Sequence, residues 1–375
     1  MKVRLGDYIQ EYSVKNKYNE DIPVYSITNS KGFCKDYFSK DVASKDKTTY
    51  KIVPRGYFAY NPSRINVGSV DWQRKEEKVI VSPLYNVFSV SPKLDQQYLY
   101  YYLKSKVSLY YITNIATGSV RDNLKLSMLY EFPINLPDMM EQRCIVRILD
   151  TVHSLILIYE QKLERYDMLI KARFVEMFGH QSHNEKKNPY KTIEDVAEVY
   201  LGITHTPTYV DSGVRFISAK NTSGDFLDLS DVKYISREEF ATAPKGAKPK
   251  KNDVLFSRVG SNLGHPVILN EEIELCTFVS LGFLRTKGSV TSNYLKHWMR
   301  DDFFAKQVSV HVKGGGQPNL NTGWLKKFKI VVPSLETQKE FDDFCEKVDK
   351  SKLAVQKALD ETQLLFDSLM QQYFG

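Results

Sequence analysis

The chain repeats itself, because short fragments of its first half recur in its second half at a constant displacement of 196 residues. Residues related by this displacement are Tyr98 and Tyr294, Gly118 and Gly314, Asn123 and Asn319, Phe132 and Phe328, Pro137 and Pro333, Gln142 and Gln338, and Phe178 and Phe374. A single displacement means that no net insertion separates the two copies over this stretch. Solenoid repeats are only a few tens of residues long. The pattern therefore predicts a duplicated domain, which performs its function twice with two related modules.

Length and composition agree with two domains in an ordinary soluble protein. A chain of 375 residues is too long for one hydrophobic core, and 42% apolar with 26% charged residues is typical of globular proteins. The net charge of +7 favours polyanionic partners only modestly. The four cysteines are scattered without a CxxC pair, and the longest aliphatic run, residues 155–158, is far too short to span a bilayer. We therefore expect a cytoplasmic protein.

Each repeat begins with a β-rich segment. In the first copy, residues 1–136, short runs such as Gly56-Tyr-Phe-Ala-Tyr and Val79-Ile-Val-Ser lie between Gly, Pro, Asn and Asp turn residues. A helical patch is predicted near residues 96–111. The second copy, residues 191–332, has runs such as Asp253-Val-Leu-Phe-Ser and Thr277-Phe-Val-Ser-Leu-Gly-Phe-Leu, and a helical patch near 292–307. Both segments are predicted to be mixed, mostly β globular domains.

Each repeat ends in one long helix, predicted over residues 137–180 and 333–375, with a polar linker at 181–190 between the repeats. Asp138 and Ser334 are placed as N-caps, and Gly179 as the residue that ends the first helix. A heptad stripe runs along the first helix through Ile145, Leu149, Val152, Ile156, Tyr159, Leu163, Tyr166 and Ile170. The second stripe is weaker, because Lys352 and Thr362 interrupt it.

The two stripes predict that the helices pack on each other. Two similar units on one chain tend to associate about an approximate two-fold axis, which makes the helices antiparallel. The predicted fold class is α+β, with two similar globular domains joined by two long antiparallel helices as a coiled-coil spacer. The alternative is that each stripe merely fills a separate core.

The sequence contains no convincing catalytic or cofactor motif. Neither GxGxxG nor GxxxxGK[ST] occurs. Asn61-Pro62-Ser63 lacks most of the adenine methyltransferase motif, and Pro137-Asp138 with Glu160-Gln161-Lys162 imitates a nuclease core only on the surface of the predicted helix. His180 and His183 have no further metal ligands nearby in the sequence. We therefore predict no catalytic residue, metal or cofactor in this chain.

Basic and amide residues occupy matching turn-rich segments of the two β-rich domains. Arg, Asn and Gln supply donors that read base edges, and Lys and Arg contact phosphates. Ordinary polar loops could also contain such residues, so each one alone carries little weight. The candidate DNA-binding residues are Arg55, Arg64, Asn66, Arg121 and Asn123 in the first copy, and Lys250, Lys251, Arg258, Asn262, Lys313, Gln317 and Asn319 in the second.

The order of these elements resembles the specificity (S) subunit of Type I restriction-modification systems. The resemblance rests on Phe132-Pro-Ile-Asn-Leu-Pro-Asp-Met-Met-Glu-Gln-Arg, on Phe328-Lys-Ile-Val-Val-Pro-Ser-Leu-Glu-Thr-Gln-Lys, and on Gly314-Gly-Gly-Gln-Pro-Asn-Leu. It covers essentially the whole chain. The two copies depart from each other at Arg121-Asp122, where the second copy has Gln317-Pro318, which puts the function of that loop in the first copy in doubt.

The resemblance implies a non-catalytic subunit with two target recognition domains, each reading one half of a bipartite DNA sequence, and with helices that fix the spacing. It further implies docking to two adenine methyltransferase subunits, which bring S-adenosylmethionine and flip the target base, and optionally to ATP-driven restriction/translocase subunits. Two alternatives remain open from the residues themselves: a self-sufficient DNA-modifying or DNA-cleaving enzyme, and a two-headed protein-interaction scaffold without DNA affinity.

Overall fold

The computed structural model describes residues 2–35, 46–115, 123–260, 262–311 and 318–375. These fall into two compact units. Unit 1 comprises Met1–Gln161 with Gln356–Gly375, and unit 2 comprises Lys162–Val355. No helix in the described ranges is both long enough and apolar enough to cross a membrane.

Unit 1 combines short strands with three short helices and one end of each long helix. Its strands are β1 (Lys2–Arg4), β2 (Ile9–Glu11), β3 (Ser26–Thr28), β4 (Gly32–Cys34), β5 (Lys51–Pro54), β6 (Phe58–Tyr60), β7 (Val70–Trp72), β8 (Lys78–Val81), β9 (Asn86–Val90) and β10 (Pro133–Asn135). Its helices are α1 (Gln96–Lys104), α2 (Lys106–Ile115), α3 (Leu126–Leu129) and the first part of the long helix α4 (Met139–Phe178).

Unit 2 is built from the same kinds of elements, with five short helices among its described residues. Its strands are β11 (Tyr190–Thr192), β12 (Ala197–Leu201), β13 (Tyr209–Val210), β14 (Val214–Ile217), β15 (Lys233–Ile235), β16 (Val254–Ser257), β17 (Pro266–Ile268), β18 (Leu275–Thr277), β19 (Leu281–Thr286) and β20 (Lys329–Val331). Its helices are α5 (Ile193–Val196), α6 (Arg237–Thr242), α7 (Ser292–Met299), α8 (Asp302–His311), α9 (Thr322–Lys326) and the first part of the long helix α10 (Leu335–Phe374).

Both units contain the same four-stranded antiparallel sheet. Its order is β2-β9-β6-β7 in unit 1 and β12-β19-β16-β17 in unit 2. The register also repeats, because Phe58 pairs with Phe88 and the residues 196 positions later, Val254 and Leu284, pair in the same way. A two-stranded antiparallel ladder, β1 with β10 and β11 with β20, closes each domain next to the start of its long helix. The duplication predicted from the sequence is therefore confirmed at the level of topology.

The remaining strands differ between the two units. In unit 1, β3 pairs with β4 and β5 pairs with β8, both antiparallel. In unit 2, the order is β13-β15-β14-β18, and β14 runs parallel to β18. We call these parts the divergent lobes. They occupy residues 12–35, 46–57 and 73–85 of unit 1 and residues 202–253 and 269–280 of unit 2, and their described strands are ordered differently.

Two details of the expected secondary structure were wrong. The run Thr277 to Leu284, expected as one strand, divides into the end of β18 and the start of β19. Each expected helical patch is two helices: α1 ends before Ser105, whose backbone is extended (φ −71°, ψ 154°), and α7 ends before Arg300. A residue with extended backbone cannot continue the helical hydrogen-bond ladder, so α2 begins as a separate helix.

The ends of the long helices follow the signals in the sequence. The Asp138 carboxylate accepts a hydrogen bond from the backbone N–H of Glu141 (2.8 Å), and the Ser334 hydroxyl accepts one from the backbone N–H of Thr337 (3.2 Å). Gly179 has φ +72° and follows α4 directly. A left-handed backbone at this position favours glycine, which has no Cβ to clash.

Within each unit, the two long helices pack on the globular core with antiparallel directions. In unit 1 the ring of His153 lies 5.9 Å from that of Phe366, and in unit 2 the ring of Phe178 lies 5.4 Å from that of Phe341. The predicted stripe is buried or half-buried along all of α4. The α+β fold class is confirmed, and the alternative in which each helix fills a separate core is wrong.

Candidate nucleic-acid interface

The candidate residues of unit 1 lie on exposed turns around the shared sheet. Arg64 and Asn66 are exposed on the turn that joins β6 to β7, and Gly68 with φ +84° ends that turn. Arg55 is exposed beside β5, where its guanidinium donates to the backbone carbonyls of Glu76 (3.2 Å) and Lys75 (3.1 Å). Arg64 and Asn66 therefore have side chains available to a ligand, and Arg55 retains free donors.

A backbone hydrogen bond brings the Asn123 segment to the same turn. The Leu124 N–H donates to the carbonyl of Pro62 (3.1 Å), two residues before Arg64. Asn123 itself is exposed. The structure thus groups Arg64, Asn66 and Asn123 at one rim of the sheet, although 57 residues of sequence separate the last two. Arg121 lies outside the described residues.

Unit 2 repeats this arrangement. The Leu320 N–H donates to the carbonyl of Arg258 (2.8 Å), the contact that corresponds to Leu124 with Pro62 in unit 1. Asn262 is exposed on the turn that joins β16 to β17, and Asn319 is exposed beside it. Lys250 and Lys251 are exposed before β16. Lys313 and Gln317 lie outside the described residues.

Arg258 differs from the other candidates because it is buried. Its guanidinium donates to the backbone carbonyls of Val279 (2.8 Å) and Leu320 (3.1 Å) and to the side-chain oxygen of Asn319 (3.3 Å). Burial lowers the pKa of this guanidinium. With its donors satisfied inside the domain, Arg258 holds the Asn319 segment in place rather than facing a ligand. Pro62 occupies the corresponding position in unit 1.

Two basic residues at the carboxyl ends of helices were missed in the sequence. Lys104 at the end of α1 donates to the carbonyl of Gly68 and to the backbone and side-chain oxygens of Asn29 (3.2 and 3.0 Å). Arg300, 196 positions later, donates to the Asp225 carboxylate (2.8 Å). Each joins the divergent lobe of its unit to the part of the fold that both units share. Their common offset and charge were visible in the sequence, but their partners were not.

A buried glutamine attaches each long helix to its domain. The amide nitrogen of Gln142 donates to the carbonyls of Lys93 (3.0 Å) and Pro137 (2.9 Å), and its oxygen accepts from the N–H of Asp95 (2.8 Å). Gln338 makes the same three bonds with Ser289, Pro333 and Thr291, each 196 positions later (3.2, 2.9 and 2.9 Å). Both side chains are fully buried. This network fixes the direction in which each helix leaves its domain.

A tyrosine adds a second attachment of each long helix. Burial raises the pKa of Tyr98 above its usual range, and its hydroxyl donates to the carbonyl of Asn135 (2.8 Å) while its ring packs on Phe374. Tyr294 donates in the same way to the carbonyl of Val331 (2.5 Å) and packs on Phe178. In each unit, one tyrosine therefore joins the last strand to the end of a long helix.

The long helices also expose apolar side chains at equivalent positions. Exposed apolar residues on a soluble helix mark a surface for another protein when they recur together. The recurring pairs, each separated by 196 positions, are Leu157 and Leu353, Met168 and Leu364, and Leu169 and Leu365. On α4 in unit 1, Arg143, Arg147, Asp150 and Leu155 line a groove.

The described part of the chain shows no metal site. No group of three or more His, Cys, Asp or Glu side chains in those residues could hold a metal ion. Asp138 caps a helix, and Glu160 and Lys162 lie exposed on α4, as expected for solvated helix residues. The four cysteines carry free thiols.

Comparisons with known proteins point to a single family. The family model described as "Type I restriction modification DNA specificity domain" matches residues 4–165 and 185–362. The chain is 21% identical over 371 residues to the Type I restriction enzyme MjaVIII specificity subunit of Methanocaldococcus jannaschii, covering 92% of this chain and 85% of that protein. It is 22% identical over 339 residues to the Type I restriction enzyme EcoBI specificity subunit of Escherichia coli, covering 80% of this chain and 70% of that protein.

Two solved structures share the fold over the whole chain. A chain from a study of complex assembly and conformational transition of the type I R-M system superposes with a TM-score of 0.56 at 18% identity, covering 100% of this chain and 97% of that chain. The S subunit of a Type-I restriction-modification system from M. genitalium gives a TM-score of 0.55 at 14% identity, covering 100% and 96%.

Proposed function

Because this chain belongs to the Type I restriction modification DNA specificity domain family, we propose that its two globular domains each read one half of a bipartite DNA target. Proteins of this kind are DNA-recognition subunits without catalytic activity of their own, and this chain is one of them. The recognition domains are proposed to be residues 1–136 and 191–332, with residues 137–180 and 333–375 as the long spacer helices and 181–190 as a linker. A cytoplasmic location stays a prediction.

The observation that carries the proposal is the combination of a shared scaffold with divergent lobes. The two four-stranded sheets have one topology, whereas the lobes beside them have different strand orders. Two domains that read different half-sites need the same attachment to the long helices but different surfaces that contact DNA. In both domains, the exposed asparagine turn at Asn66 or Asn262 lies beside the exposed Asn123 or Asn319, and amide side chains suit adenine edges.

We propose that the remaining exposed candidates position the DNA. Phosphate contacts suit the basic side chains of Arg55, Arg64, Lys250 and Lys251. The set of proposed DNA-binding residues also includes Arg121, Lys313 and Gln317, which lie outside the described residues. Arg258 is proposed to act through Asn319, because its own donors are satisfied within the domain.

The methyltransferase subunits are proposed to dock on the exposed apolar residues of the long helices. Specificity subunits of this family act together with methyltransferase subunits. The recurrence of Leu157 at Leu353 and of Leu169 at Leu365 supports two equivalent docking surfaces, and so two methyltransferase subunits per complex. S-adenosylmethionine and the base-flipping step belong to those subunits. Restriction/translocase subunits are a further proposed partner, without a surface assigned to them.

The test is to express the chain with its methyltransferase subunit and to map methylated adenines by sequencing. We expect a bipartite motif of two short half-sites with a fixed spacer. Asn66→Ala should relax one half-site and Asn262→Ala the other, whereas Lys250→Ala should weaken binding uniformly and lower the salt slope by about one. A single undivided motif, or no salt-dependent affinity for duplex DNA in the presence of the methyltransferase, would contradict the proposal.

The spacer is proposed to depend on helix length. Inserting one heptad into both long helices adds roughly 10 Å of helix, the length of about three base pairs at about 3.4 Å each. We expect the preferred spacer of the methylated motif to lengthen. An unchanged motif from a folded variant would show that the helices do not set the spacing.

A further inference from the structure

A buried ionic cluster in unit 2 is replaced by a mostly uncharged set at the equivalent, described residues of unit 1. Lys352 of α10 is buried, and its ammonium contacts both the carboxylate of Asp167 on α4 (2.5 Å) and that of Asp225 in the divergent lobe (2.9 Å). The second oxygen of Asp225 accepts from Arg300 (2.8 Å). The cluster thus joins the divergent lobe, the end of α7 and both long helices within unit 2.

Unit 1 has uncharged residues at the two corresponding positions of the long helices. Ile156 and Gln363 stand 196 positions from Lys352 and Asp167, and Ile156 is buried in the apolar stripe. Lys104 corresponds to Arg300, but its partner in the lobe is the neutral Asn29. The stripe can therefore be built without charge at this level, and an apolar set is often at least as stable as a buried ion pair. Stability alone does not account for the ions in unit 2.

The electrostatics of Asp225 are consistent with a fixed ion pair. Burial favours its protonated form, but Arg300 and Lys352 outweigh burial and lower the pKa of Asp225 to about 2. Burial also opposes the charge of Lys352, yet its bonds to Asp167 and Asp225 raise its pKa. Both partners stay ionised over the physiological range, so the geometry of the cluster is held throughout.

Asp225 lies in the loop between β14 and β15, which is connected to the asparagine turn. The adjacent carbonyl of Gly224 accepts from Nε2 of His265 (2.9 Å). The backbone N–H of His265 in turn donates to the carbonyl of Asn262 (3.0 Å). Buried Asn221 closes the same loop by donating to the carbonyls of Asp228 (2.9 Å) and Asp231 (3.2 Å). Fixing Asp225 therefore fixes both the loop and the turn that presents Asn262.

We propose that Asp225, held by Lys352 and Arg300, is a positioning residue for recognition of one DNA half-site. Asp225 connects the loop 221–231 and the Asn262 turn to the long helices and thereby sets the orientation of both. Unit 1 holds its Asn66 turn differently, through the bond from Lys104 to the carbonyl of Gly68. Discrimination at one half-site thus depends on the long helices through an ionic cluster that the other half-site does not use. This inference rests on the proposed reading of half-sites by the two domains.

The test replaces the cluster with the residue set of unit 1. The variant Lys352→Ile, Asp167→Gln, Asp225→Asn, Arg300→Lys is expressed with the methyltransferase subunit, and methylation is measured on cognate and single-base-substituted targets. We expect preference for the cognate sequence to fall on the order of tenfold at the half-site affected by Asn262→Ala, and to stay unchanged at the other. Lys350→Ala, which removes an exposed ion pair with Glu346 on the same helix, is the matched control and should change neither.

Asp225→Asn alone is the second variant, since it keeps every buried residue of the long helices and serves if the fourfold variant does not fold. It should relax the same half-site, and Asp225→Glu should recover part of the discrimination. Full discrimination at both half-sites, or equal loss at both, would overturn the positioning role. Failure of the proposed function gives a different result, because the wild-type complex itself would then methylate no bipartite motif.

Discussion

The buried glutamine at the start of each long helix allows a quantitative prediction. Gln142→Met keeps the length of the side chain but removes its three hydrogen bonds to the backbone, two of which are donated by the amide nitrogen. At about 1 kcal/mol for each bond, we expect the free energy of unfolding to fall by about 3 kcal/mol. Gln338→Met should cost at least as much, because its bond to the carbonyl of Pro333 is itself buried.

Urea unfolding followed by circular dichroism measures the loss, and hydrogen exchange shows where it acts. In Gln142→Met, faster exchange should be confined to the start of α1 and the first turns of α4, because Asp95 caps α1 and Pro137 precedes α4. Gln161→Met, at an exposed position of the same helix, is the control and should change stability by less than about 0.5 kcal/mol.

The reasoning would be refuted by a loss of less than about 1 kcal/mol in both Gln142→Met and Gln338→Met. A loss in only one of them would equally contradict it, since the same three bonds are present in both units.

Three further predictions concern single contacts. Tyr98→Phe and Tyr294→Phe should each lower the free energy of unfolding by about 1 kcal/mol, measured in urea, because each removes one hydroxyl bond to a strand carbonyl. Gly68→Ala should cost about 2 kcal/mol in the same assay, because the residue has φ +84° and a Cβ there would lie 2.3 Å from the side-chain oxygen of Asn29; a neutral result would contradict this geometry. Burial raises the pKa of Asp342 to about 6 in the folded protein, above its ordinary value of 3.8 in the unfolded chain. The contribution of this carboxyl group to the free energy of unfolding is therefore greatest below pH 3.8 and is lost as the pH rises through about 6. Asp342→Asn should therefore be more stable than wild type by about 1 kcal/mol at pH 8, after allowance for solvent screening, and this advantage should vanish near pH 4; unfolding curves at pH 4, 6 and 8 decide, and a pH-independent difference would count against the assignment.

The features that could be predicted from the sequence are those with local or periodic causes. Asp138, Ser334 and Gly179 act within one turn of the helix they cap, so their type and position suffice. The heptad stripe reports burial because its spacing matches the helix period. The common offset also predicted that the two units share one arrangement of elements, although it did not predict how their strands pair.

The features that could not be predicted depend on partners brought together by the tertiary fold. Arg258 looked like other basic turn residues, and only the segment at Leu320, more than sixty positions later, makes it a buried donor. Lys352 appeared as an interruption of an apolar stripe. Its partner Asp225 lies in a divergent lobe, and the equivalent residue of the first copy, Asn29, carries no charge that would indicate an ion pair. The Gly118 and Gly314 segments, which include Arg121, Lys313 and Gln317, lie outside the described residues.

The contacts of the two units fall into two groups, those that attach a domain to a long helix and those that hold its divergent lobe. The bonds from the side chains of Gln142, Gln338, Tyr98 and Tyr294 to the backbone recur at the one offset of 196 positions. The bonds that hold the divergent lobes recur only in part. Lys104 with Asn29 and Arg300 with Asp225 share the offset, whereas the bond from Lys352 to Asp225 belongs to unit 2 alone, because Ile156 stands at the equivalent position of unit 1. A substitution in the recurring attachment bonds changes how a domain is held by a long helix, whereas loss of the Lys352 bond changes the lobe of unit 2 alone. Recognition can therefore diverge in one half of the chain while both domains keep the same attachment to the helices.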